Sequence, residues 1–259
     1  MENVQRWRWL GGEFLVVALG VLSALFVDTW IEEREHAERA TEYRERLAAD
    51  LRTDVNEMTA RMEYYRRIRE FGLLVLDVYE GRQQVSDFEL MFAAFNAAEE
   101  WGFSPESSTF TDMQSTGHLA LLEDLQLRLR LARYYREMVP RGIVWNPPSA
   151  FREVARGIIP NDLQAAIHDQ CNVTTADIVL MSARAGPGAK QPCELNPADY
   201  EVAAAAERLR THPTAAELLR YRVSQLRVAI SLFDTQRALA EDLLAQLGGP
   251  ETHAVHPVD

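Results

Sequence analysis

The chain has 259 residues, 47% of them hydrophobic, and carries 39 acidic against 27 basic side chains, for a formal charge of −12. That composition fits an ordinary folded chain of one large domain or two modest ones, with room for only a small membrane part. The acidic balance argues against nucleic acid as a partner, because phosphates would be repelled by such a surface and need a basic patch to bind it.

Residues 11–30 read GGEFLVVALGVLSALFVDTW, an almost unbroken apolar run with Glu13 near one end and Asp28 near the other. Phe14 to Val27 alone covers roughly 20 Å as a helix, short against a hydrocarbon core of about 30 Å. Counted from Trp7 to Trp30 the helix reaches roughly 35 Å, and Trp7, Trp9 and Trp30 fit the aromatic belts of a bilayer. A cleaved signal peptide is the rival, since Arg6 and Arg8 precede the run. Against it, no clean A-x-A site follows, Glu13 interrupts the run, and the helical pattern continues into DTWIEEREHAERATEYRERLAADL without Pro or Gly. The expectation is an uncleaved membrane anchor over residues 1–30. At about 100° per residue, Glu13, Gly20, Ala24 and Asp28 share one polar and small stripe, a candidate interface with another membrane helix in a homo-oligomer or a larger complex. Snorkelling to the headgroups is the alternative account of Glu13, and Asp28 beside Trp30 reads more simply as interfacial.

Basic residues do not settle the orientation: Arg6 and Arg8 precede the run, and Arg34, Arg39, Arg44 and Arg46 follow it. Cys171 and Cys193 are the only cysteines and lie too far apart for a C-x-x-C knuckle. They read either as one disulfide or as two unpaired thiols. The disulfide reading places the body in an oxidising compartment and the N-terminus in the cytoplasm.

Beyond the run, residues 31–79 contain no proline and one glycine, Gly72, and Leu47, Leu51, Val55, Met58, Met62 and Tyr65 recur at helical spacing. EGRQQ ends this helix. Ser86 and Glu89 form a capping box ahead of FELMFAAFNAAEEW. A loop at GFSPESS leads to a short helix ending at Gly117. Leu122 to about Val139 reads as an amphipathic helix with Leu122, Leu125, Leu129, Ala132 and Val139 inward. Prolines crowd residues 140–197, a loop-rich insert of short helices and loops. Helices resume at NPADYEVAAAAERLR. In the last helix Leu218, Tyr221, Gln225, Val228, Leu232 and Leu239 track one side until Gly248 and Gly249. Residues 249–259 read as a frayed tail. The expected fold is all-α: an N-terminal transmembrane helix continuing into a long helix of an extramembrane helical bundle over residues 31–248.

GEFLVVALGVLSALFVDTWIEER and FSPESSTFTDMQSTGHLALLEDLQLRLRLARYY together resemble a family of bacterial membrane proteins of unknown function. Its members open with Gly-Glu, a Leu/Val-rich span, a Trp and a charged helix. Its second hallmark is a Ser/Thr-Gly turn followed by a helix with paired tyrosines, here Tyr134 and Tyr135. The resemblance covers about the first 140 residues and implies a single-span, membrane-anchored helical domain; with the orientation taken from the cysteines, the expected location is the bacterial inner membrane, single-pass, with a periplasmic body. It implies nothing about catalysis.

No G-x-S-x-G elbow, H-E-x-x-H pair or P-loop is present. His168, Asp169 and Cys171 fall short of the four ligands of structural zinc, so neither a metal nor a cofactor is expected. The most site-like segment is STGHLALLED. There Asp112, Ser115, Gly117 and His118, beside Tyr134 and Tyr135, could form a turn that binds a small ligand; the alternative is a helix corner whose hydroxyls cap helix ends. With no catalytic constellation, the leading function is a membrane-anchored structural or interaction subunit whose partners are the bilayer and other membrane helices. A periplasmic ligand-binding or sensory module acting through a partner is the second.

Overall fold

The computed structural model describes residues 2–145, 149–171 and 195–248; within them the side chains of residues 2–19, 21, 24 and 138–145 lie outside the description. The described residues form eight α-helices and two 3-10 turns, with no strand. Helix α1 runs from Glu2 to Tyr79 as one element. It is followed by α2 (Asp87–Ala97), α3 (Ser108–Thr116), a 3-10 turn (His118–Leu121) and α4 (Leu125–Trp145). Next come α5 (Ala150–Ile158), α6 (Asn161–Gln170), a 3-10 turn (Pro197–Asp199), α7 (Ala203–Arg210) and α8 (Ala215–Leu247).

The body is built on α1 and α8. In α8 the buried residues are Ala215, Leu219, Arg222, Leu226, Ala229, Phe233, Gln236, Ala240, Leu243 and Leu247. Their steps alternate between three and four, a heptad seam that keeps one face against a partner helix. On α1 the matching seam holds Leu47, Leu51, Asp54, Met58, Arg61, Tyr65 and Ile68. Two apolar cores lie along this pair. One joins Leu47, Met58 and Tyr65 of α1 to Leu131 and Tyr134 of α4 and Phe233 of α8. The other joins Val75 of α1 to Phe95 of α2, Phe151 of α5 and Leu219 of α8.

Local signals act where the sequence places them. Gly81, at φ 69, takes α1 out of its helical path, and Ser86 and Glu89 close their capping box at the head of α2. Gly117 has φ 77, the left-handed conformation that ends α3. Gly117→Val should cost about 1–2 kcal/mol, the penalty of a β-branched residue in that region; an unchanged melting temperature would count against it.

Two expected faces are corrected. Leu122 precedes α4, and Asp124 caps its start by accepting from the Gln126 amide at 2.7 Å. Leu125 and Leu129 are more than half exposed, whereas Leu127, Leu131, Tyr134 and Tyr135 are buried. LQLRLRLARYY carries leucine at every second position, so two rival stripes exist, and the one that includes the tyrosines buries more apolar surface. In α8, Tyr221 and Val228 are likewise more than half exposed. The buried stripe lies beside them and includes Arg222 and Gln236, polar residues that hydropathy alone assigns to the surface.

Among the described residues no helix is long and apolar enough to cross a membrane. Of the expected membrane stripe, Glu13 and Ala24 lie outside the described side chains, while Gly20 and Asp28 are exposed. Cys171 follows α6 and is disulfide-bonded; Cys193, the chain's other cysteine, lies outside the described residues, as does the tail.

Candidate functional site

The corner between α3 and the first 3-10 turn brings Asp112 and His118 to α1, where Tyr43 and Arg46 meet them. The Tyr43 hydroxyl lies 3.2 Å from Asp112 Oδ2 and 2.9 Å from His118 Nδ1. A phenol has one proton. Donated to Asp112, it requires His118 to carry a proton on Nδ1 and donate that to the Tyr43 oxygen, leaving Nε2 outside the relay. Arg46 completes the chain, 3.5 Å from Asp112 and stacked over the Tyr43 ring at 5.3 Å. The hydroxyls of Ser115 and Thr116 turn back to the Asp112 carbonyl, at 3.0 and 2.8 Å. They cap the helix end, as the alternative reading of that segment expects.

Tyr134 and Tyr135 do not join this corner. Both are buried, with Tyr135 stacked on Phe110 at 4.7 Å between ring centres. Tyr134 donates to Asp54 Oδ2 at 2.8 Å, and Asp54 Oδ1 accepts the Glu106 amide at 2.7 Å. Burial pushes the Asp54 carboxyl up to about 6, against the two hydrogen bonds, which favour its charged form. Burial likewise pushes both phenols upward, so they stay neutral. The six residues expected to line one turn therefore do not converge: Asp112 and His118 join a half-buried relay at the corner that also holds Ser115 and Gly117, while Tyr134 and Tyr135 pack in the core, where Tyr134 holds the buried Asp54 carboxyl.

A third polar group grips the chain leaving α2. Three carbonyls there each receive a side chain from a different helix. Arg152 of α5 donates to Ala98 at 2.9 Å, Arg222 of α8 to Glu99 at 2.7 Å, and Tyr65 of α1 to Trp101 at 2.8 Å. Arg156 pairs with the Glu99 carboxylate and lies 3.2 Å from the centre of the Phe95 ring. Arg61, salt-bridged to Glu57 at 3.3 Å, stacks 3.5 Å from the Trp101 ring. Desolvation lowers Arg61 to about 10 and lowers Arg156 and Arg222 as well, with neighbouring glutamates acting against it. All three stay cationic at neutral pH.

The sequence signals missed here are polar residues at seam positions: Asp54 between Leu51 and Met58, Arg61 beside Met62, Arg222 between Leu219 and Leu226. Each keeps the 3-4 spacing of the apolar residues around it. The signal was the spacing, not the hydropathy.

Chemically, the relay holds and orients a histidine, but no nucleophile stands beside it among these contacts. Among the described residues no group of His, Cys, Asp or Glu is placed to hold a metal ion. The arginines are committed to backbone carbonyls, glutamates and aromatic rings, which makes them a structural clamp. No protein-family model matches the chain, and neither a curated protein nor a solved structure shows significant similarity to it.

Proposed function

We propose that the chain is a membrane-anchored interaction subunit. Its α1 helix is rooted in a bacterial inner membrane with the N-terminus in the cytoplasm, and its helical body stands in the periplasm against a second copy or a larger membrane complex. The observation that carries this is the unpacked stretch of α1. Leu22, Leu25, Phe26, Val27, Trp30 and Ile31 are each 45–74% exposed, on the helix that becomes the spine of the body. At about 100° per residue these six spread over roughly 240° of the helix circumference, wider than the stripe one partner helix covers. Lipid surrounds a helix on all sides, and a soluble partner does not. Trp30 with Arg34, whose guanidinium is 5.8 Å from its ring, suits the boundary between lipid and water.

Above that boundary, α1 carries charge instead of apolar surface. Arg34–Glu38 and Glu35–Arg39 pair along the helix at 3.1 and 2.9 Å. Being exposed, these pairs add little stability but keep the stretch helical and solvated, a stalk between bilayer and body. The disulfide at Cys171, which we assign to Cys193, supports an oxidising compartment.

Alkaline extraction of membranes from cells making the full chain tests the anchor: the protein should stay in the pellet, and release with the soluble fraction would refute it. The same preparation, solubilised in mild detergent, tests assembly. Gly20 is exposed and open around its Cα, so Gly20→Ile leaves the body intact and should break a close helix contact in the bilayer. Migration identical to wild type, with the same co-purifying proteins, would dismiss the membrane stripe as an interface. Mass analysis without reductant should find no free thiol, and two would reverse the disulfide assignment.

A further inference from the structure

Helix α8 has two seams. The buried one faces the body. On the opposite side Tyr221, Ser224, Val228, Ser231, Thr235 and Ala238 are all exposed and recur at alternating steps of three and four, the spacing that lays one helix along another. Tyr221 is 66% and Val228 57% exposed. The next seam positions outward are charged, Glu217 at one end and Asp242 at the other. Along one edge of the seam run Arg220, Arg227, Asp234 and Glu241, exposed and a heptad apart. Arg220 shares Glu80 of α1 at 3.4 Å. Arg227 has no acid within reach on its own helix, where the positions three and four residues away hold Val223, Ser224, Ile230 and Ser231. Further on, Asp234 and Glu241 divide one guanidinium, Arg237, at 2.9 and 2.6 Å. The edge therefore carries excess positive charge in its first half and excess negative charge in its second.

We propose that this face binds a second copy of itself, α8 against α8 in antiparallel order about a two-fold axis. Such a pair must be self-complementary, and the charges are so in one register. Setting Val228 against the partner's Ser231 also sets Ser224 against the partner's Thr235 and Tyr221 against the partner's Ala238. That register uses the whole uncharged stretch and leaves Glu217 and Asp242 at the rims, where Arg130 already pairs with Asp242. The edge residues then meet as Arg227 with the partner's Asp234 and Arg220 with the partner's Glu241, each twice by symmetry. Opposite charges face each other at all four places. Leu232, half-buried on the other edge, meets its own copy. A parallel pair instead sets Arg227 beside the partner's Leu232 and Asp234 beside the partner's Leu239, and matches no charge.

The order has a consequence for α1. Helices α1 and α8 run in opposite directions, since Glu80 meets Arg220, Gly72 meets Val223 and Tyr65 meets Phe233. An antiparallel α8 pair therefore sends its two α1 helices away from each other. On the anchored reading of α1, the pair joins copies rooted in two facing membrane surfaces, not neighbours in one. The pairing itself rests on α8 alone, so alkaline extraction judges the anchor and the seam is judged separately.

Oxidative cross-linking of the full chain in mild detergent tests the seam. Val228→Cys, close to the two-fold axis, should give a covalent dimer. Tyr221→Cys should give none, because its two copies stand about 26 Å apart along the pair. Both side chains are exposed, so neither change disturbs the core. Arg227→Asp turns two attractions into repulsions and should weaken the dimer about tenfold. Adding Asp234→Arg to the same chain exchanges the charges and should restore it. Covalent dimer at both cysteine positions, the mark of a parallel pair, overturns the proposal, and so does dimer at neither. A double variant no tighter than Arg227→Asp alone overturns it equally.

Discussion

Arg222→Ala should unfold the protein more readily than truncation of any other residue in the arginine clamp, at a cost of about 3–5 kcal/mol. The side chain is 2% exposed, and its Nη2 donates to the Glu99 carbonyl at 2.7 Å while the Glu100 charge sustains the guanidinium. Truncation removes the cation but leaves what it served. The part-buried Glu99 carbonyl loses its donor, Glu100 loses a counter-charge, and the space that the buried guanidinium filled is left open. Removing one partner of a buried polar group costs far more than its net contribution to the intact fold, because the survivor stays desolvated. Arg222→Lys should recover only part of the loss, since an ammonium cannot reproduce the planar fork of donors. Urea unfolding of the detergent-solubilised chain, followed by helical circular dichroism, gives the measurement. A midpoint within error of the wild type would show that the clamp on the α2–α3 segment is dispensable.

That clamp marks where reading the sequence stops. The helical class, the capping box at Ser86 and Glu89, the turn at Gly117 and the unbroken helix through Tyr79 all follow from local chemistry, and each is legible within a few residues. The burial of Leu47, Leu51, Met58, Met62 and Tyr65 is legible too, since periodicity and hydropathy agree there. They part company at Asp54, Arg61, Arg222 and Gln236. Asp54 and Arg222 occupy seam positions because a partner from elsewhere in the chain satisfies them: Tyr134 and the Glu106 amide for Asp54, the Glu99 carbonyl for Arg222. Those partners are tens of residues or more away in sequence, and no local pattern announces them. The same blindness explains α8, where the cleaner apolar stripe through Tyr221 and Val228 is the exposed one. The candidate turn fared likewise. Asp112 and His118 do meet, but through Tyr43 and Arg46, which stand some seventy positions upstream on α1.

Gly72→Leu should cost about 3 kcal/mol, the upper end for forcing bulk into a packed interface. Gly72 is the one glycine of α1 within the body, and a glycine in a helix interior is itself unfavourable by about 1 kcal/mol relative to alanine. Its presence needs a compensating reason, and α8 provides it. A Cβ built on Gly72 would lie 2.7 Å from Val223 Cγ2 and 3.5 Å from Leu219 Cδ1. Valine cannot swing away cheaply, because a β-branched side chain in a helix has one strongly preferred rotamer. The two long helices therefore pack tightly where α1 has no side chain, in line with the seam from Leu47 to Val75 on α1 and the seam from Leu219 to Leu247 on α8. Even Gly72→Ala should destabilise, the clash outweighing the gain in helix propensity. Val223→Ala in the same chain should relieve much of that loss, a coupling that a double-mutant cycle measures directly. If Gly72→Ala instead stabilises the protein with Val223 in place, α8 is free to move away from α1, and the contact between the two helices is softer than their heptad seams imply.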